Sequence, residues 1–65
     1  MKSSGVIRGV VESQGTLLVS FPVHDGYFRL PLRDTAMCVQ IRDAYDSRTE
    51  ISFTFDRELK ILAVG

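Results

Sequence analysis

The chain has 65 residues, and its eight basic and eight acidic side chains give a formal net charge of zero. Hydrophobic residues make up 45% of the chain and charged residues 25%, which is typical of a folded domain and excludes a disordered chain. The balanced charge excludes a bulk electrostatic attraction to nucleic acid or to an anionic membrane. One cysteine and one histidine exclude an internal disulfide and a zinc site made of these two residue types alone.

The length predicts one domain, 1–65, without a cofactor. No apolar run approaches the roughly 20 residues that span a bilayer, and the first residues lack the apolar core of a signal peptide. We therefore expect a cytoplasmic protein without a membrane partner. Domains of this size usually gain stability from a disulfide, a metal or self-association. Because the sequence excludes a disulfide and a Cys/His zinc site, we expect a homo-oligomer.

Residues 6–12 and 16–23 are the first two predicted strands. Apolar residues occupy both faces of each strand, so the connecting loop decides which face is buried. A two-residue loop would place Arg8 opposite Phe21 and direct its charge toward the core. A three-residue loop leaves Arg8 exposed and puts Gly15 where such a loop needs a left-handed residue. We therefore predict the three-residue loop.

Residues 27–32 are the third predicted strand, with apolar and polar side chains in alternation. The dipeptide Asp25-Gly26 precedes it and is typical of a two-residue hairpin turn in which both residues take a positive φ. This turn pairs Phe21 with Leu30 and collects the large apolar side chains of the two strands on one face. We predict this register for the second hairpin.

Residues 34–47 are the predicted helix. Their apolar residues recur at helical spacing, and Asp34 or Thr35 is a suitable N-cap. The alternative is a short strand at 36–41, which contains β-branched residues. Sequence alone leaves both interpretations open, and the helix is the preferred one.

Residues 50–56 alternate between apolar and polar side chains, and residues 60–64 complete the predicted strands. The predicted fold is mainly β with one helix, a five-stranded small barrel of order β-β-β-α-β-β. With Gly9 as a bend in the first strand, this order resembles the OB-fold. The resemblance covers nearly the whole chain as a pattern, without a specific family motif. The alternative is an SH3-like small barrel, in which residues 34–47 form a strand and a loop.

His24, Tyr27 and Arg29 are the candidate ligand-binding residues, because the predicted register places them together on the outer face of the second hairpin. In domains of the fold that the chain resembles, this face binds single-stranded nucleic acid or sugars. An aromatic ring for stacking and an arginine for phosphate suit such ligands. His24 has no predicted catalytic partner, so we interpret it as a side chain at the rim of a turn.

A second set of residues, all apolar and all predicted to point outward, is the candidate oligomer interface. Its members are Val6, Val10, Leu18, Leu62 and Val64.

The sequence predicts a small, non-catalytic, homo-oligomeric binding module without a metal site. The partner is another copy of the chain, with nucleic acid or a small polar ligand as a further partner. The alternative function is a single-stranded nucleic-acid-binding domain. An enzyme whose site is built across subunits is the least favoured, since no nucleophile–base pair, metal set or phosphate loop is visible.

Overall fold

The computed structural model describes residues 1–65 as six β-strands and one α-helix. The elements are β1 (Lys2–Val6), β2 (Gly9–Ser13), β3 (Thr16–Ser20), β4 (Phe28–Pro31), α1 (Thr35–Ser47), β5 (Glu50–Phe55) and β6 (Ile61–Val64). They form two three-stranded antiparallel sheets, of order β1-β5-β6 and β2-β3-β4. A mainly β chain with one helix is confirmed. The predicted five-stranded barrel, whether OB-like or SH3-like, is wrong, because six strands form two separate sheets and no closed barrel.

The first predicted strand is two strands, one in each sheet. β1 pairs with β5 and β2 pairs with β3, and the chain leaves both ladders at Ile7 and Arg8. Ile7 is buried there, whereas Arg8 is exposed and its backbone N–H donates to the Ser20 carbonyl at 2.8 Å. The interruption lies directly before Gly9, where we predicted a bend. No local pattern indicates a strand before residue 6, since residues 2–5 contain no large apolar side chain.

The loop between β2 and β3 has two residues, Gln14 and Gly15, and not the predicted three. Both have a positive φ, 50° and 76°, which is the backbone of a tight hairpin turn. The resulting register opposes Val11 to Leu18. The sequence disfavours this register because continued pairing would direct Arg8 inward. The structure avoids burying this charge because β2 begins only at Gly9, so Arg8 lies outside the paired strand.

The connection between β3 and β4 is a seven-residue loop over residues 21–27, and the predicted hairpin turn at Asp25-Gly26 is wrong. Of these two residues only Gly26 has a positive φ, 77°. The observed pairs are Leu17 with Leu30 and Val19 with Phe28. They differ from the predicted register by four residues. Because four is an even number, the same apolar side chains still face inward.

The two sheets approach each other at β4 and β6, where a single parallel bridge joins Arg29 to Lys60. The Arg29 N–H donates to the Leu59 carbonyl at 2.9 Å, so this edge of β4 faces β6. Two residues along the same edge, Pro31 has no N–H to continue the ladder. Pairing therefore stops, and a gap remains between β4 and β6.

Twelve buried apolar residues from both sheets and α1 form one core: Ile7, Leu17, Val19, Phe21, Phe28, Leu30, Cys38, Ile41, Ala44, Phe53, Phe55 and Ile61. Four phenylalanine rings lie at its centre, with Phe21 stacked on Phe53 at a centroid distance of 4.7 Å.

α1 begins at the predicted place, because Asp34 Oδ1 accepts the Met37 N–H at 3.3 Å and caps the helix. The alternative strand at 36–41 is wrong. No helix of this chain has the length and apolar character needed to cross a membrane.

Candidate functional site

The gap between β4 and β6 opens to the surface as a groove. It consists of two adjoining cavities of about 600 and 250 Å³, which share Pro31, Arg33 and Lys60. The larger cavity extends along β6 to the first turn of α1, and the smaller one extends along β4 to Thr16. We call the two cavities together the β4–β6 groove.

Three basic side chains line the β4–β6 groove: Arg29, Arg33 and Lys60. Its one acidic lining residue is Asp34, whose carboxylate already accepts a hydrogen bond at the start of α1. Arg33 and Lys60 form no ion pair. The residues that line the groove therefore carry more positive than negative charge in a chain whose net charge is zero, while Glu58 and Asp56 lie near Arg29 and Lys60 from outside the lining.

A tight turn at residues 56–60 positions Lys60 at the groove. Asp56 Oδ1 accepts the Glu58 N–H at 2.9 Å and the Lys60 N–H at 3.0 Å. The hydrogen bond from the Lys60 backbone, joined by that from Glu58, lowers the pKa of Asp56 below its ordinary value of 3.8. Leu59 has a left-handed φ of 63° in this turn, and its carbonyl accepts the Arg29 N–H. The turn therefore anchors β6 to β4 and sets the spacing of two of the three basic residues.

The guanidinium of Arg29 has a carboxylate partner. Arg29 Nη2 lies 3.5 Å from Glu58 Oε2, and the two side chains are 49% and 77% exposed. Exposed ion pairs of this kind contribute little stability, because water and salt screen them. A ligand therefore has access to the guanidinium.

Tyr27 is an exposed aromatic residue that lines neither cavity of the groove. It immediately precedes β4 and is 51% exposed. Tyr27 is the last residue of the loop before β4 and lies two residues before Arg29 in the chain. On the sheet, Leu18 lies opposite Arg29 and Val11 lies opposite Leu18, so these three residues share the outer face. An exposed ring and an exposed guanidinium thus lie two residues apart in the chain, and their position on one face stays a prediction.

His24 is less exposed than Tyr27 and Arg29. Its side chain is half-buried, with Nε2 2.8 Å from Ser3 Oγ and its ring edge-to-face with Phe28 at 5.0 Å. Phe28 faces the core, on the side of β4 opposite to Arg29. The predicted outward orientation of His24 is wrong, because residues 21–27 are a loop and not paired strand. Sequence reasoning missed Ser3 as its partner because the strand that carries Ser3 was not predicted.

The residues of the candidate oligomer interface do not form one surface. Val6 and Leu62 are 38% and 52% exposed, but they lie near opposite ends of the β1-β5-β6 sheet. Leu18 lies on the other sheet and is half-buried. Val10 and Val64 pack against the core, so their predicted outward orientation is wrong. Self-association stays a prediction.

Arg33 and Lys60 are the site residues that sequence reasoning missed. Both lie in connecting segments outside the strands, where a charged residue is unremarkable. Pro31 was the available signal, since a proline inside a predicted strand indicates an edge that cannot continue pairing. Comparisons with protein-family models, curated proteins and solved structures found no match to this chain.

Proposed function

We propose that the protein binds single-stranded nucleic acid, with the phosphates of the strand along the β4–β6 groove and a base stacked on Tyr27. One observation carries the proposal: Arg29, Arg33 and Lys60 converge on one groove although the chain has no net charge. The sequence predicts a binding module without specifying its ligand, and this proposal assigns one class of ligand to it.

The chemistry of the lining residues supports phosphate as the group that is bound. Arginine binds phosphate oxygens through a planar fork of N–H donors, and lysine binds them as a point charge. Arg33 and Lys60 form no ion pair, although the Asp56 carboxylate is near enough for the Lys60 charge to contribute to its lowered pKa. A groove open at the surface fits a flexible chain of phosphates better than an enclosed small molecule.

The exposed tyrosine supports a single strand over a duplex. A base within a duplex is already stacked on its neighbours, whereas an unpaired base has a free face for an aromatic ring. Stacking of this kind is tolerant of sequence. We therefore expect weak sequence preference, and an affinity that comes from a few local contacts and decreases with salt.

Fluorescence anisotropy with a labelled oligothymidylate of about ten nucleotides tests the proposal, since such lengths fit a single small binding site. The titration is repeated from about 50 to 200 mM salt. Each of Arg33→Ala and Lys60→Ala should reduce the slope of log affinity against log salt by about 0.7, the value for one phosphate contact on a single strand. Tyr27→Ala should weaken binding roughly tenfold without changing the slope, and Tyr27→Phe should bind nearly as well as the parent.

Lys2→Ala is the matched control. Lys2 is an exposed lysine of β1, on the sheet that does not carry Arg29, and its removal changes the net charge by the same amount. An effect of Lys60→Ala no larger than that of Lys2→Ala would show that the groove is not the binding site. Absence of binding at the lowest salt would overturn the proposed function.

A further inference from the structure

Glu58 is the only carboxylate that forms an ion pair with a basic residue of the β4–β6 groove. It lies in the turn at residues 56–60, and its carboxylate reaches across to β4 to contact Arg29. The backbone of Glu58 is held in place, because its N–H donates to Asp56 Oδ1 at 2.9 Å. The backbone of Glu58 is thus fixed within reach of Arg29, while its exposed side chain stays free to move.

We propose that Glu58 is an internal counter-ion of the groove, which a ligand phosphate must displace from Arg29. This inference rests on the proposed nucleic-acid binding. Glu58 and a phosphate are both anions that accept hydrogen bonds from the same guanidinium, so they compete for it. Glu58 therefore lowers the affinity for any ligand that reaches Arg29.

The geometry of the Arg29–Glu58 ion pair indicates that a ligand can displace the Glu58 carboxylate. The Arg29–Glu58 distance of 3.5 Å is long for a charge-assisted hydrogen bond, and the Glu58 side chain is 77% exposed. The Asp56 carboxylate, and not the Glu58 carboxylate, accepts the backbone hydrogen bonds that shape the turn. Glu58 can therefore swing into solvent without disturbing the turn that holds Lys60.

The consequence for specificity is a preference for chains of phosphates over free phosphate. A lone phosphate at Arg29 gains one contact and loses the one that Glu58 made. A nucleic-acid strand that is also held at Arg33 and Lys60 offsets this loss with additional contacts. Glu58 thus acts as a specificity-determining residue of the proposed site.

Glu58→Gln tests the inference, because glutamine keeps the size of the side chain and removes its charge. In the wild-type protein Glu58 already neutralises Arg29, so phosphate binding there replaces Glu58 and adds little to the salt dependence. We expect Glu58→Gln to bind the labelled oligothymidylate about two- to fivefold more tightly at low salt. Its slope of log affinity against log salt should become steeper by about 0.7, one additional phosphate contact. Inorganic phosphate should also compete better in Glu58→Gln than in the wild type.

Glu50→Gln is the control. Glu50 is an exposed carboxylate at the start of β5 that forms no ion pair, and its substitution changes the net charge equally. If Glu58→Gln binds with the wild-type affinity and slope, or changes them only as much as Glu50→Gln does, the inference is wrong and the proposed function stands. If neither the wild type nor Glu58→Gln binds the oligonucleotide, the proposed function itself fails, and the inference with it.

Discussion

Replacing Gln14 with asparagine should stabilise the protein, whereas Asp25→Asn should not. Gln14 is the first residue of the two-residue turn between β2 and β3 and has a φ of 50°. An ordinary side chain in the left-handed region costs about 1–2 kcal/mol, and asparagine tolerates this region better than most residues. Gln14 is exposed and its side chain makes no hydrogen bond, so the substitution removes no contact.

We expect Gln14→Asn to raise the free energy of unfolding by about 0.5–1 kcal/mol, which is part of the left-handed cost. In a domain of this size that corresponds to a rise in Tm of about 2–8 °C, measured by thermal unfolding with circular dichroism. Asp25 does not have a positive φ, so Asp25→Asn should leave Tm nearly unchanged.

Gln14→Asn distinguishes the observed hairpin from the predicted one, and Asp25→Asn is its control. In the predicted three-residue loop only Gly15 would need a left-handed φ, so Gln14→Asn would bring no gain; at an Asp25-Gly26 turn aspartate is already a favoured residue, so Asp25→Asn would change little in either fold. An unchanged or lower stability in Gln14→Asn would refute the turn assignment and the strand register that depends on it.

Two further predictions concern the elements that border the groove. Asp34→Ala removes the N-cap of α1 and should cost about 1 kcal/mol in urea unfolding, while Asp34→Asn should cost much less, and equal losses would exclude the cap. The pKa of Asp56 is lowered in the folded protein, so its carboxylate contributes stability above the ordinary value of 3.8, and that contribution is lost as the pH falls below it. The difference in Tm between the wild type and Asp56→Asn should therefore be present at pH 7 and shrink as the pH falls through 3.8; a difference independent of pH would contradict this account.

The features that depend on neighbouring residues could be predicted from the sequence. The helix predicted at 34–47 is α1 (Thr35–Ser47), because its cap and its apolar spacing lie within the segment itself. The strand predicted at 50–56 is β5 (Glu50–Phe55), because its alternation is complete over six residues. Each of these signals is local.

The strand pairing was predicted less well, and the errors have identifiable causes. Gln14-Gly15 and Asp25-Gly26 both resemble tight turns, and only the packing of residues 21–27 decides between them. In this loop Phe21 packs against Phe53, and His24 forms a hydrogen bond with Ser3. These contacts join residues far apart in the chain, so local patterns do not indicate them.

The residues of the candidate site likewise divide into those that the sequence predicted and those that it did not. Tyr27 and Arg29 were predicted on one face from the alternation of an extended strand, and this stays a prediction because Tyr27 lies in the loop before β4. Arg33 and Lys60 were not predicted, because they meet Arg29 only where β4 and β6 approach each other. The sequence by itself determined the composition of the core, the helix and the alternation of the strands, since these follow from local periodicity. The tertiary structure alone decided the register, the division into two sheets and the basic groove, since these depend on which distant strands pair and on Pro31, where pairing stops.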